Sequence, residues 1–497
     1  MRTIVSSDRR RPPGAKDLPP GGRAARGKGA DSTAGERGAR EIGSSDRRPR
    51  RLAFEILRWV DERDAYANLV VAERLGAAGF EPRDSALVTE LVYGTLRMRG
   101  ILDAVLARGS SRPLDRIDAP ALDVLRLGAY QLLFTRIPPH AAVAETVAVA
   151  RVAVNASVTG FVNAVLRRVA EKSLDEWLTV IAPPSAPDRL GHLALVSSHP
   201  RWIAAAFADA LGGDLAETEA ALGADNERPA VHLAARPGET DRDSLLAGLG
   251  HRGAAGPYSP YAVHLTDGAP GDLASVRDHR VQVQDEGSQL AALALARASI
   301  DGDESRWLDM AAGPGGKAVL LAGLAAERGI SLLASDVAPH RARLVADNLA
   351  GRPSGASVIS SDGRRPAWRA AAFDRVLLDA PCTGLGALRR RPEARWRRDE
   401  GSVPALATLQ RELLASAIAA TRPGGVVGYV TCSPHIQETV DVIGWARATY
   451  AGVDVIDVRP LLPGVPHLGP GPWVQLWPHR HGTDAMFIAL LSVGTHT

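Results

Sequence analysis

Cysteine is almost absent: the 497-residue chain has two, Cys382 and Cys432. Two thiols exclude a disulfide framework, and without several histidines they exclude a zinc thiolate site, so no metal is expected. Long apolar runs are missing as well. With no stretch of about 18 apolar residues, no membrane span is expected. The basic start of the chain lacks the apolar segment of a signal peptide, so a cytoplasmic protein is expected. Aromatics make up only 5% of the residues, a bias that carries no functional meaning by itself. Net charge is small, at +3, but uneven. Residues 1–50 hold 13 Arg and Lys against 6 Asp and Glu, a net of +7, which leaves about −4 for the rest. Such a tail suits an anionic partner such as RNA.

What is present divides into blocks. Residues 1–48 are rich in Arg, Gly, Pro and Ser and show no apolar period, so a disordered basic tail is expected. From about Arg51 the texture changes. "RLAFEILRWVDERDAYANLVVAERL" places Leu52, Ile56, Trp59 and Val60 at helical spacing, and similar stretches follow, broken at Gly79, Pro113, Pro138 and Pro139. This pattern predicts an all-helical domain over residues 49–172. Residues 173–280, interrupted by Pro183, Pro184, Pro187 and Pro200, read as a small α+β connector, with strands in "RPAVHLAAR", "YAVHLTDG" and "RVQVQDEGS". Over residues 281–497 strands and helices alternate. Strands are predicted in "RWLDMAA", "SLLASD", "ASVISSD", "FDRVLLDA", "GVVGYVTC" and "AMFIALLSV". Such alternation predicts an α/β, doubly wound, mostly parallel sheet whose ligand crevice lies at the carboxyl ends of its strands.

The motifs sit at those ends. "LDMAAGPGGKA" joins a strand to a helix through a glycine loop. A Walker A loop is excluded, because Ala311 stands where its first glycine belongs and Ala318 where its hydroxyl residue belongs. A dinucleotide fingerprint fits Gly313, Gly315 and Ala318, with Asp336 as the later acid, so an NAD-dependent oxidoreductase stays open. S-adenosyl-L-methionine (SAM) fits more of the chain. It needs a glycine loop under its methionine part and acids for the ribose, and Asp336, Asp362 and Asp379 end successive strands. A lone strand-end Asp is usually a cap or turn residue; three on consecutive strands face one crevice.

Cys382 in "DAPCTG" and Cys432 in "YVTCSP" also follow strands. Free cysteines are ordinarily small buried apolar residues. Here Pro381 and Pro434 flank them, and Thr383, Thr431 and Ser433 are polar neighbours. A thiolate near a methyl donor solves a specific problem: C5 of a pyrimidine is a poor nucleophile until sulfur adds to C6. Spacing alone does not say which cysteine attacks.

"IPPHAAVAETVAVARVAVNASVTGFVNAVLRRV", with Glu145 and the run at residues 161–167, resembles the closing helices of the NusB family, helical RNA-binding factors that also use this bundle for protein contacts. "DAPCTGLGALRRRPEARW", "YVTCSPHIQET" and "LDMAAGPGGKA" together resemble the cytosine-5 RNA methyltransferases of the NOL1/NOP2/Sun family. The resemblance spans about residues 50–497. It implies a Rossmann-like SAM-dependent methyltransferase domain behind a NusB-like helical domain. It implies Cys432 as nucleophile, Cys382 as the group that helps product release, and Asp379 near the cytosine edge. Ala311, Ala312, Gly313, Pro314, Gly315, Gly316, Lys317, Asp336, Asp362 and Asp379 would hold SAM, with Lys317 near the methionine carboxylate. The expected substrate is RNA, 16S ribosomal RNA before tRNA, and the expected state a monomer. A non-catalytic RNA-binding assembly factor is the remaining alternative. Three departures stand out. The loop has Ala311 and Gly313 where relatives often have Cys and Ala. Thr439 replaces an Asn, which puts a helix-start hydrogen bond in question. The connector's usual Arg-Val-Asn strand is replaced around residues 231–235. Finally, "ALRRRPEARWRRDE" carries six arginines against three acids beside the Cys382 loop. It is expected to contact phosphates, with Trp396 stacking on an unpaired base.

Overall fold

The computed structural model describes residues 48–350 and 355–494. The basic tail expected over residues 1–48 therefore lies outside them, except for Arg48. Among the described residues no helix is long and apolar enough to cross a membrane.

The first domain is built from α1 (Arg48–Arg63), α2 (Ala67–Ala78), α3 (Pro82–Arg97), α4 (Arg99–Gly109), α5 (Ala119–Phe134), α6 (Pro139–Ala153) and α7 (Thr159–Val169). Apolar residues at helical spacing, such as Val162, Val165, Leu166 and Val169 on α7, face one core. Gly79 ends α2 with φ 61° and Pro139 opens α6, so two of the breaks expected from the sequence fall at a helix end and a helix start. Gly94 lets α3 approach α5 closely, since a Cβ there would overlap the Tyr130 ring. The same core takes in the next helix. Ser173 and Glu176 form a reciprocal cap for α8 (Leu174–Ile181). Trp177 is buried in the same core, and its Nε1 donates to Val169 O at 2.9 Å.

The connector holds α9 (Arg189–Val196), α10 (Arg201–Ala210), α11 (Leu215–Ala224) and α12 (Arg242–Leu249), with β1 (Val231–Ala235), β2 (Gly253–Ala255), β3 (Ala262–Leu265) and β4 (Val281–Val283). These strands form an antiparallel sheet in the order β2-β3-β1-β4. Because β4 pairs with β1, the connector's sheet runs past residue 280. The strand expected over "RVQVQDEGS" is only half a strand. Asp285 accepts from Gly287 N at 2.9 Å and caps α13 (Glu286–Arg297).

The last domain contains β5 (Arg306–Asp309), β6 (Ser331–Asp336), β7 (Ala356–Ser360), β8 (Phe373–Asp379), β9 (Thr421–Thr431), β10 (Val453–Ile456), β11 (Val474–Gln475) and β12 (Phe487–Val493). The sheet order is β10-β12-β9-β8-β5-β6-β7, with β11 beside β12. β5 to β9 pair parallel, whereas β12 runs antiparallel to β9, β10 and β11. Two cores cover its faces. α13, α14 (Gly316–Ala326) and α15 (Pro339–Leu349) pack on one side, α16 (Val403–Ala420) and α17 (Val440–Thr449) on the other. Period-two alternation feeds both: Trp307 faces the first core and Leu308 the second. The chain reverses direction across the sheet between β5 and β8. That is the switch point where doubly wound folds open a crevice, and the candidate residues lie there.

Candidate active site

The glycine loop leaves β5 and opens α14. Gly315 has φ 117°, a backbone state that favours glycine. A Cβ on Gly313 would sit 2.4 Å from Asp336 Oδ2 and 2.8 Å from Arg341 Cβ, so a side chain there would displace the Asp336 carboxylate. Gly313 N instead donates to Asp336 Oδ2 at 3.0 Å, and Ala338 N donates to Asp336 Oδ1 at 2.8 Å. The acid of β6 thus anchors the loop of β5, with lone pairs left for a ligand. Asp362 follows β7 at the same edge, but Arg364 grips its carboxylate at 2.8 Å and holds its pKa down at about 2.

Lys317, in the first turn of α14, points across the switch point. Its Nζ donates to Asp379 Oδ2 at 2.8 Å. Burial opposes the ammonium charge, but the Asp379 carboxylate outweighs it and raises the Lys317 pKa. Lys317 therefore stands on the cysteine side of the crevice. Cys382 and Cys432 meet there, Sγ to Sγ 3.5 Å, both partly exposed. Backbone ties hold the two loops together: Gly386 N donates to Cys432 O at 2.9 Å. The two thiols are close enough to shift each other in opposite directions. The hydrogen bond from Cys382 lowers the Cys432 thiol, helped by Lys317 and Arg391. The same bond, burial and the Glu438 carboxylate push Cys382 well up. Either sulfur can be the donor in this contact, and the surrounding groups favour the thiolate form more at Cys432 than at Cys382.

Two residues at this site were not singled out from the sequence. Asp309, at the end of β5, is fully buried and neither carboxylate oxygen has a hydrogen-bond partner among the described residues. The Ala311 N–H faces it without reaching hydrogen-bond geometry. Burial, with Asp379 nearby, pushes its pKa up to about 8. The signal was an acid closing an apolar strand directly before the glycine loop. Glu438 is the second; it is fully buried and accepts from both cysteine loops. Next to it, Thr439 makes no side-chain cap for α17; its Oγ1 donates to His435 O at 2.9 Å instead.

The arginine run does not form a phosphate-facing rim. Arg389 and Arg390 pair with Asp285 and Asp484. Arg395 is fully buried, and Arg397 reaches Asp64 at 3.0 Å. Trp396 is half-buried and packs one ring edge against Gly100 of α4, where an added Cβ would stand 2.7 Å away. Only Arg391 and Arg398 remain exposed.

Comparison with known proteins decides the family. A model described as 16S rRNA methyltransferase RsmB/F matches residues 298–492, and a NusB family model matches residues 47–171. A putative methyltransferase of Mycobacterium tuberculosis is 55% identical over 89% of this chain and 96% of its own length. Ribosomal RNA small subunit methyltransferase B of Erwinia tasmaniensis is 32% identical over 82% and 90%. The chain belongs to the RsmB/F family of RNA methyltransferases. The crystal structure of PH0851 has the same fold, with TM-score 0.74, 22% identity, and coverage of 89% of this chain and 98% of that one. NSun6 from Pyrococcus horikoshii with SFG gives TM-score 0.51 at 18% identity over 61% of this chain and 100% of that one.

As an RsmB/F enzyme the protein uses SAM to methylate cytosine in RNA, which removes the dehydrogenase reading. The crevice fits that cofactor. The Gly313 cradle, the free N–H groups at the start of α14 and the unpartnered Asp309 carboxyl suit its methionine part. Asp336, followed by the exposed apolar Val337, suits the ribose and adenine.

Proposed function

We propose that this enzyme methylates C5 of a cytosine in 16S ribosomal RNA through a covalent bond between Cys432 and C6 of the base. The observation that carries the reading is the thiol pair, 3.5 Å apart, at the switch point beside Lys317 and Asp379. Bound SAM supplies an electrophilic methyl group on a sulfonium. The protein's task is to make C5 accept it. Cys432 Sγ bonds to C6, the ring loses its aromaticity, and the C5 carbon gains enamine character. Lys317 holds the sulfur as thiolate beforehand, and Asp379 accepts from the exocyclic amine of the cytosine. Once C5 carries the methyl group, its proton leaves to a base, the electron pair rebuilds the C5–C6 bond, and the C6–S bond breaks. Cys382 donates its S–H toward the departing sulfur, which stabilises the thiolate as a leaving group. The cytosine must be unpaired or flipped to reach these sulfurs.

The test separates the two sulfurs. Cys432→Ala is expected to abolish methyl transfer, and Cys382→Ala to accumulate a covalent RNA–protein adduct visible on a denaturing gel. An adduct formed by the Cys432→Ala protein would reverse the assignment. Bisulfite sequencing of total RNA with and without the enzyme identifies the target; a mark on tRNA and none on 16S RNA would overturn the substrate.

A further inference from the structure

One buried acid touches both cysteine loops. Glu438 accepts from Thr383 N at 2.8 Å and from Thr383 Oγ1, and Thr383 is the residue after Cys382. It also accepts from Ser433 Oγ at 2.6 Å, and Ser433 is the residue after Cys432. Gln410 of α16 donates to Glu438 Oε1 at 3.2 Å, and the same amide donates to Pro381 O at 2.8 Å. A single carboxylate thus grips the position after each sulfur. Among the described residues it has no ion-pair partner, so hydrogen bonds alone offset the cost of burying its charge.

We infer that Glu438 is a positioning residue that gives the two cysteines their separate roles, by fixing their spacing and by placing a negative charge on the Cys382 side. The charges around the pair support this. Lys317 and Arg391 face Cys432, whereas Glu438 faces Cys382. Asp379 stands against Cys432 but is tied to Lys317, and Asp309 lies beyond that pair, also within reach of Lys317. The buried Tyr429 phenol donates to the backbone oxygen of Glu438 at 2.8 Å and so leaves the carboxylate to the loops. With an anion on one side and cations on the other, the thiolate is favoured on Cys432 and the thiol on Cys382. Cys432 is then free to attack, and Cys382 keeps the hydrogen it donates when the sulfur leaves. A neutral clamp of the same shape would hold the loops without choosing between the sulfurs.

The inference rests on Cys432 as the nucleophile, and its test is separable from that reading. The two cysteines of the full-length protein are alkylated with iodoacetamide across a pH series, and each peptide is quantified by mass spectrometry. In the unmodified sequence Cys432 is expected to react at least tenfold faster than Cys382 near neutral pH. Glu438→Gln keeps the shape and removes the charge. It is expected to bring that ratio close to one and to lower kcat at least tenfold while KM for SAM changes less than twofold. A folded Glu438→Gln protein with unchanged selectivity and kcat overturns the inference. Thr383→Val keeps the charge and removes one donor to the clamp. It should keep the alkylation ratio and lower kcat several-fold, and an unchanged kcat there overturns the positioning role even if Glu438→Gln does not fold. Methyl transfer by Cys432→Ala would sink the nucleophile assignment instead, whatever the Glu438 variant does.

Discussion

Residues 377–386 and 387–400 are consecutive in the chain and lie at one edge of one crevice. Each is dense in side chains that carry chemistry. In the first, Asp379 and Cys382 stay partly exposed, facing Lys317 and Cys432. In the second, the arginines turn away. Arg389 and Arg390 tie the loop to Asp285 and Asp484, and Arg395 and Arg397 enter the junction with the connector and the helical domain. The difference lies in what surrounds each segment. α10 and α11 pack on Leu388 and cover the second segment, reaching back only to Leu385 at the end of the first, whereas Asp379 and Cys382 border the crevice. Six arginines in a row of motif-rich sequence look like an RNA surface, yet four of them serve as connectors between domains. A cation count says nothing about exposure, because the planar guanidinium can collect carbonyl oxygens in a dry interface as well as phosphates in a wet one.

The largest effect that would test this contrast is at Arg395. Its Nη1 donates to Arg97 O at 3.0 Å, Ser198 O at 3.3 Å and Asn226 Oδ1 at 2.7 Å, and its Nη2 donates to Asp225 O at 2.8 Å. Three domains share that one side chain. Arg395→Met strands three backbone carbonyls and removes a cation that favours the buried Asp225 carboxylate. By analogy with broken buried pairs, the expected cost is about 3–5 kcal/mol. Urea denaturation measures it. A loss below about 1 kcal/mol would mean that the run is a solvated face after all.

A smaller effect of the same kind is at Gly100. An Ala there meets Trp396 Cη2 at 2.7 Å and Ser198 Oγ at 3.1 Å, while the Gly100 N–H already donates to that hydroxyl at 2.9 Å. Overpacking costs about 1–3 kcal/mol, and the gain in helix propensity offsets about 1 of these. Gly76 of α2 has nothing within 4 Å of an added Cβ. Gly76→Ala is therefore expected to stabilise by roughly 0.5–1 kcal/mol, and Gly100→Ala to destabilise by up to about 2. Melting temperatures of opposite sign check the pair; two shifts of the same sign would show that the Trp396 contact is loose.

These contrasts also explain what the sequence could reveal. The glycine loop, the strand-end acids and both cysteine motifs are local: the few residues that define each sit next to each other, so spacing carries the chemistry. The helical domain was legible for a related reason, since Val162, Val165, Leu166 and Val169 repeat on one helix face. Glu438 was hidden because its meaning comes from Thr383 and Gln410, distant in sequence. β4 was legible because "VQVQ" alternates like a strand, whereas α13, which follows at once, is set by the Asp285 cap and was missed. The direction of the arginine run is a tertiary fact, fixed by Asp484, Asp225 and Asp64, none of them near it in the chain.

Asp309 gives the gentlest and most specific measurement on the catalytic side of the comparison. Burial raises its pKa to about 8, so the fold favours its protonated form. Its contribution to stability is then complete below the ordinary carboxylate range and is lost as pH rises through about 8. A bound ammonium group reverses the preference, because it favours the carboxylate. SAM binding should therefore expel a proton, and affinity should rise with pH, approaching tenfold per unit while Asp309 starts protonated. Calorimetry between about pH 5.5 and 7.5, in two buffers of different ionisation enthalpy, reads both the affinity and the released proton. Asp309→Asn should bind more weakly at the upper end, with a flat profile and no proton release. A flat profile in the unmodified sequence would mean that Asp309 does not face the methionine part, and that its buried carboxyl serves the sheet rather than the cofactor.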